Sequence, residues 1–470
     1  MSRKLTGNFQ EEKRRFHEIL QMDKNFDIIY KSITIAGREA GIYFIDGYLK
    51  DTIMEKVMEF LYKLKPEEVP KTAKGMLDRV MPYTEVDLLT DEESVLRSLL
   101  SGVTCLFIDG YVECLGIDCR TYPMRSVSEP EKDKALRGSK DGFVETVVMN
   151  TALIRRRIRS PKLCMEMFNA GRTSQTDIVL CYMDDRVDRP LLREVQKRIR
   201  QIDVDALTMN QESLAECIYE RKWFNPFSKF KFTERPDTSA AAILEGNIVV
   251  LVDNSPQAMI VPTSIFDIVE EADDYYLPPV TGTYLRLSRF LIALVTLFLT
   301  PTFLLLVQNP QWIPPWLAFI KVKETINVPL IWQLLILELA IDGLRLAAIN
   351  TPSMLSTPLS VVAGIVLGQF TVDSGWFNSE IMMYMAFVAI ANYTQSSYEL
   401  SYALKFMRLI LLILTSVLDL WGYIAGFVIA ILAIVTNKTI AGKSYIYPLL
   451  PLNVRQLKKR FIRSRLKGRG

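Results

Sequence analysis

The sequence predicts an α+β two-part cytosolic N-terminal region followed by an α-helical multi-span membrane domain. Three observations carry this. An apolar block from Tyr284 to Val435 contains charge-free runs, such as residues 290–300 and 427–435, and roughly 20 residues of that kind cross a hydrocarbon core as helix. About 280 residues of charged, mixed-pattern sequence precede the block. Within them, β-rich runs joined by Asp-Gly or Asp-Asn pairs are separated by segments of helical period, an α+β arrangement. The expected domains are 1–127 and 128–283, both α+β, then 284–436 with about four to six spans, and a basic cytosolic tail over 437–470.

The elements follow in order. Glu11–Met22 reads as a short amphipathic helix. Ile33–Ile35 and Gly41–Leu49 flank a predicted hairpin whose turn signal is Asp46-Gly47. Asp51–Leu64 places Ile53, Val57, Phe60 and Leu61 at helical spacing. Ser94–Leu100 reads as helix, and Thr104–Leu115 as a second hairpin turning at Asp109-Gly110. Phe-Ile-Asp-Gly-Tyr occurs at 44–48 and again at 107–111. A looser copy runs from Asn247 to Val261 and turns at Asp253-Asn254. These turn carboxylates are expected to bond backbone amides.

A boundary falls near Thr121–Lys140, where Arg120–Arg125 and Ser128–Lys134 are polar and extended. From Gly142 to Ile158, Phe143, Val147, Asn150 or Thr151, Ile154 and Ile158 share one helical face. Arg155, Arg156, Arg157 and Arg159 crowd its C-terminal end, where cations complement the helix dipole. They form either a solvated face or an interface with an acidic loop or a neighbouring subunit. Thr176–Tyr182 reads as a buried strand and Pro190–Ile202 as a helix. Trp223–Phe227 reads as an aromatic loop, and an Ala-rich helix ends at Glu245. Glu270, Glu271, Asp273 and Asp274 form an acidic run before Tyr275, either a divalent-cation site or an Arg-paired loop.

Composition excludes much chemistry. The chain has one histidine, His17, and Ser-His-Asp catalysis or a His-rich metal site needs a better-placed imidazole. It has no Gly-x-x-x-x-Gly-Lys-Ser/Thr and no Gly-x-Gly-x-x-Gly. No enzyme activity, cofactor or metal site is predicted. The six cysteines are irregularly spaced and read as buried or half-buried free thiols in a reducing compartment. Met1–Leu20 has no apolar core, so the front end is expected in the cytosol. From Asn437 to Gly470 there are ten Lys or Arg and no Asp or Glu. Anionic membrane lipids are the expected partner of that tail, and nucleic acid is not.

In the membrane half, Leu287–Val307 is the clearest span, and Trp312 and Trp316 suit an interfacial belt. Val328–Ile349 carries Glu338, Asp342 and Arg345 on one helical face. Such charges must meet protein or water. They line a pore or gate, or they form an internal Arg–carboxylate clamp. Pro358–Val372, Ile381–Ser396 and Phe406–Val435 complete the block. Gly364 and Gly368 would permit close helix packing. Lys405 and Arg408 read as a cytosolic loop, with Asp373 and Glu380 on the opposite side. Six spans result if Phe406–Val435 forms a hairpin near Asp419. Val454–Leu466 reads as a basic amphipathic segment on the membrane surface.

Several of these residues stand together in one order: Gly142-Phe143-Val-Glu145, Asn150, Leu153–Ile158 with Arg155, Arg156 and Arg157, Thr233-Glu234-Arg235-Pro236-Asp237, Leu244–Gly246, Asp253 with Pro256, and Asp273-Asp274-Tyr275-Tyr276. In this the chain resembles the A subunits of the GerA-type spore germinant receptors over residues 120 to 450. At Trp312–Ile320, Glu338–Arg345 and Ser397–Leu400 it resembles a sporulation-protein branch of that family rather than its nutrient-receptor members. The resemblance implies a multi-pass protein of the spore inner membrane that acts in germination. It implies a homo-oligomeric ion channel or channel regulator, working with a small or transporter-like membrane subunit. A non-conducting scaffold and a nutrient-sensing receptor subunit are the alternatives.

Overall fold

The computed structural model describes residues 3–121, 137–219, 224–350, 361, 364–395 and 397–463. The chain divides into two compact units: Met1–Glu220 with Phe230–Pro262, and Arg221–Lys229 with Thr263–Gly470. The sequence-predicted boundary segment falls largely on residues 122–136, outside the described residues.

The first unit contains the same arrangement twice. Its first half runs α1 (Phe9–Ile19), β1 (Ile28–Ile35), β2 (Arg38–Ile45), α2 (Asp51–Lys63), α3 (Ala73–Arg79), β3 (Val86–Leu89), α4 (Glu92–Leu100), β4 (Thr104–Ile108) and β5 (Cys114–Ile117). Its second half runs α5 (Val147–Arg157), β6 (Leu163–Ala170), β7 (Thr176–Met183), α6 (Arg189–Arg200), α7 (Asn210–Ile218), β8 (Lys231–Thr233), α8 (Pro236–Leu244), β9 (Ile248–Val252) and β10 (Ala258–Val261). The strand orders are β1-β2-β4-β5-β3 and β6-β7-β9-β10-β8, and all pairings are antiparallel. Each half therefore places its five strands in the same spatial sequence.

The two halves also close in the same way. In the first, the Asp109 carboxylate accepts the Phe9 N–H at the start of α1, and the Gly110 N–H donates to the Gly7 carbonyl. In the second, Asp253 accepts the Val147 N–H at the start of α5, and the Asn254 N–H donates to the Glu145 carbonyl. Each turn carboxylate satisfies an orphan donor of the first helix of its own half.

The Asp109 and Asp253 hairpins lie where the sequence places them. Asp46-Gly47 does not turn a hairpin. β1 and β2 turn at Ala36-Gly37, and Asp46-Gly47-Tyr48 leaves β2 at the seam between the halves. There the Tyr48 hydroxyl donates to the Ala152 carbonyl at 2.7 Å. Gly47 has φ +76°, a conformation strained for any side chain, and a Cβ there would lie a tight 3.3 Å from Ala152 Cβ of α5.

The second unit is helical. α9 (Ile265–Val269) and α10 (Asp273–Tyr276) lead into α11 (Pro279–Gln308), then α12 (Leu330–Asn350), α13 (Ser379–Tyr393), α14 (Tyr398–Val435) and α15 (Val454–Phe461). Among the described residues, two helices are long and apolar enough to cross a membrane: α11 and α14. The expected span Pro358–Val372 falls partly outside the described residues, and a π-helical turn covers Ile365–Phe370. Gly364 and Gly368 face open space, with no helix packed on them among the described residues.

α14 folds back on itself. Asp419 has φ 50° and ψ −127°, far from helical values. A Cβ on Gly422 would lie 1.8 Å from the Leu414 carbonyl oxygen, and one on Gly426 2.4 Å from Leu411. In a straight helix residues 411 and 426 stand about 22 Å apart, so the two arms pack antiparallel and glycine lets them touch. The first arm begins at Tyr398 rather than Phe406, which makes it roughly 30 Å long.

Candidate functional site

α12 is apolar except for its charged face, and the first arm of α14 supplies the partners. The Glu338 carboxylate accepts from Arg408 Nε at 2.7 Å, and its second oxygen lies 3.5 Å from Lys405 Nζ. Lys405 also pairs with Asp342 and donates to the Glu338 carbonyl at 3.1 Å. Arg345, one turn further along, sits against the rings of Tyr393, Tyr398 and Tyr402 at 5.3, 4.7 and 5.2 Å from their centroids. Glu338 with Arg408, Asp342 with Lys405, and Arg345 with Tyr402 are thus successive rungs between antiparallel helices. Helical spacing on both chains, 338-342-345 and 402-405-408, brings them into register.

The ladder balances two carboxylates against two cations, which is the condition for burying them. One donor is left over. Arg408 is completely buried, and its Nη1 donates to the Thr296 carbonyl of α11 at 2.9 Å. Its Nη2 has no acceptor among the described residues. Thr300, one turn beyond Thr296, has a buried hydroxyl in the same condition. Pro301 follows it within α11 and lacks an N–H, which leaves the Leu297 carbonyl without its helical donor.

This geometry corrects three expectations. The clamp on Glu338 and Asp342 is closed by Lys405 and Arg408, not by Arg345. Lys405 and Arg408 do not mark a loop: both are buried in α14, because α12 offers them carboxylates. The basic tail is partly engaged within the unit. Arg460 binds Asp267 and Glu270, and Phe461 packs against Phe266 and Phe290.

The acidic run before α11 is an Arg-paired cluster. Asp274 is fully buried and accepts from Arg286 at 3.2 Å and from Arg289 at 2.7 and 3.0 Å. Glu270 and Glu271 pair with Arg286 and Arg289. Asp273 opens α10 beside them. The Tyr275 hydroxyl bonds Glu270, and burial together with that carboxylate pushes its pKa up. Among the described residues, no group of acidic, Cys or His side chains could hold a metal ion. Phe227, from the expected aromatic loop, is buried against Tyr445 in this unit; Trp223 lies outside the described residues.

The remaining motif residues gather in the first unit and build it. Gly142 and Phe143 are buried, and the Phe143 N–H donates to the Glu234 carbonyl. Glu145 is exposed and gives its carbonyl to Asn254. Asn150 bonds both polar groups of Val144 through its side-chain amide. The Thr233 hydroxyl accepts from the Arg235 N–H. Arg235 is buried, donates from two nitrogens to Asp237 and reaches the Ser139 carbonyl. Pro236 starts α8, and the Glu234 carboxylate accepts from Gln257.

Arg155 is no part of a solvated face. It is fully buried and binds Asp27 with Nε at 2.8 Å and Nη2 at 3.0 Å. Asn25 and the carbonyls of Ser160 and Leu163 take its other donors. Burial alone would lower its pKa, but the Asp27 charge and hydrogen bonds outweigh that and raise it. Arg157 binds Asp141 and Ser139, while Arg156 is exposed. Asp27, Asn25, Asp141 and Thr296 lie too far along the chain for spacing to reveal them. Lys405-x-x-Arg408 had a legible signal, a cationic i, i+3 pair opposite Glu338-x-x-x-Asp342. Five cysteines are buried, within the expected buried or half-buried range, while Cys217 departs from it and is exposed. Burial, with Asp184 nearby, pushes the Cys164 thiol up to about 11.

Comparison with known proteins matches residues 15–469 to the family described as Bacillus/Clostridium GerA spore germination protein. The chain is 35% identical to stage V sporulation protein AF of Bacillus subtilis strain 168 over 96% of its own length and 92% of the relative's. It is 27% identical to spore germination protein GerLA of Bacillus cereus, over 98% and 94% of the two chains. Among solved structures, the N-terminal domain of the A subunit of the Bacillus megaterium spore germinant receptor GerK3 matches with a TM-score of 0.43 and 24% identity, covering 56% of this chain and 97% of that one. The chain belongs to the GerA family of spore germination proteins.

Proposed function

We propose that this chain is a multi-pass membrane subunit of a spore germination complex in the spore inner membrane, with its N-terminal region on the core side. It forms or regulates an oligomeric ion channel together with a second membrane subunit. The ladder of buried Glu338, Lys405 and Arg408 with half-buried Asp342, set among apolar helices and carrying one arginine donor without an acceptor among the described residues, supports this reading most directly. A charge set of this kind is costly in a bilayer and marks ion pathways or gates. In this reading α12 and the first arm of α14 part at the ladder, and the released charges face a water-filled path.

Single-channel currents of the purified full chain in planar bilayers test it. Glu338→Gln/Arg408→Gln and Asp342→Asn/Lys405→Gln remove charge in balanced pairs. Discrete currents are expected, with conductance or open probability altered in both double variants. Unchanged currents from both folded variants would remove the ladder from the ion path. A second reading, a non-conducting scaffold for a partner channel, is favoured by one observation. Both Glu338 carboxylate oxygens already face cations of α14, so neither is open to a passing ion. Absence of current from the co-purified complex, with ion release in germinating spores still dependent on the chain, would select it.

A further inference from the structure

Arg345 is the one cation in the sequence of α12, and its environment differs from that of every carboxylate-bound arginine described above. Three tyrosine rings surround its guanidinium, and no acidic partner reaches it among the described residues. Asp342, the nearest carboxylate on its face, is held by Lys405. The rings come from helix ends. Tyr393 is the last residue of α13, Tyr398 the first of α14, and Tyr402 lies one turn in. Arg345 lies in the last turns of α12. Tyr393 and Tyr398 are exposed and Tyr402 is half-buried, so the cage is open on one side.

Aromatic faces hold a guanidinium in place without neutralising it. They occupy its π surface and leave its planar N–H edge as a fork. That edge matches two oxygens of a phosphate. Tyrosine and arginine at the ends of membrane helices lie at headgroup depth. We infer that Arg345, oriented by Tyr393, Tyr398 and Tyr402, binds a phosphate oxyanion, carried by an anionic lipid headgroup or free in solution. The site rests on the membrane reading above.

The test reconstitutes the full chain in nanodiscs of phosphatidylcholine mixed with phosphatidylglycerol. Native mass spectrometry then counts the lipids retained on release. Wild type is expected to keep one more phosphatidylglycerol per chain than Arg345→Gln. Arg345→Lys, which keeps the charge but loses the fork, should fall between them. Tyr402→Leu should lose the lipid with Arg345 intact. A parallel sample with excess inorganic phosphate separates the sources: displacement of the lipid identifies free phosphate as a ligand, and retention identifies the headgroup. Equal phosphatidylglycerol retention by wild type and Arg345→Gln overturns the site. So does equal loss of both lipids in the variant. A chain that enters no nanodisc overturns the membrane reading instead.

Discussion

Arg155 in the first unit and Arg408 in the second are buried to the same depth, each against a carboxylate far along the chain, and they are completed differently. Arg155 joins the two halves of its unit, and Asp27, Asn25 and two carbonyls take up its donors. Arg408 has Glu338 and the Thr296 carbonyl, and one nitrogen goes without a partner among the described residues. A satisfied buried network fixes one arrangement, whereas a missing acceptor raises the energy of the packed arrangement toward that of its alternatives. The first arginine is bonded as a joint, and the second is the contact that parts in the proposed channel.

The comparison breaks most sharply at Arg155. Arg155→Met leaves Asp27 buried and unpaired, and should cost about 3–5 kcal/mol of stability. Arg155→Met/Asp27→Leu should recover most of it. Denaturant unfolding of the full chain in detergent, followed by hydrogen exchange in α5 and β1, measures both. If the single variant loses under about 1 kcal/mol, the joint is not set by this pair.

At Arg408 the loss should be smaller. Glu338→Gln should cost roughly 1–3 kcal/mol, because glutamine keeps an oxygen acceptor for Arg408 Nε and Asp342 still pairs with Lys405. Exchange in α12 and α14 should rise while that in the first unit stays unchanged. A cost equal to that at Arg155 would remove the distinction between the two arginines.

The two halves of the first unit provide a finer test. Asp109→Ala and Asp253→Ala each remove one acceptor from a helix start and should each cost about 1 kcal/mol. Faster exchange should be confined to α1 in the first variant and to α5 in the second. Unequal losses would mean that the repeated geometry does not carry repeated energetics.

The smallest effect is a pH dependence. Burial, and then Lys13, lower the pKa of His17, and its Nε2 is buried without a hydrogen-bond partner among the described residues. Folding therefore disfavours the protonated ring. His17 adds no penalty above its ordinary range, and destabilises α1 as pH falls through that range toward the depressed value. Burial opposes the shift at Asp141, but the Arg157 and Ser139 hydrogen bonds prevail and lower its pKa, so its stabilisation is also lost toward acid. His17→Gln should flatten the acid-side loss in α1, read by exchange at stepped pH, and leave the Asp141 region unchanged.

Period-2 and period-3.6 patterns made most elements legible in the sequence, because local spacing decides which face is apolar. α2, α6 and the hairpins at Asp109 and Asp253 lie within a residue or two of their expected bounds. The turn at Asp419 was legible too, since a charge amid apolar residues needs a helix end or a partner. β3 was not, because its partner β5 lies beyond an intervening helix and strand. The repeated Phe-Ile-Asp-Gly-Tyr also misled. Asp46 and Asp109 share neighbours in sequence, yet the structural counterpart of Asp109 is Asp253.

The sequence by itself determined the family, the apolar helices and the charged face of α12, all of which depend on residue type at short spacing. Tertiary structure alone decided which charges meet. Lys405 and Arg408 are cations of a loop or of a buried ladder according to what lies opposite them, and only the antiparallel packing of α12 and α14 supplies Glu338 and Asp342. Arg155 and Arg345 likewise have ordinary neighbours in sequence. The energy of a buried charge is set by its partners in space, and residues more than a hundred positions away can be among them.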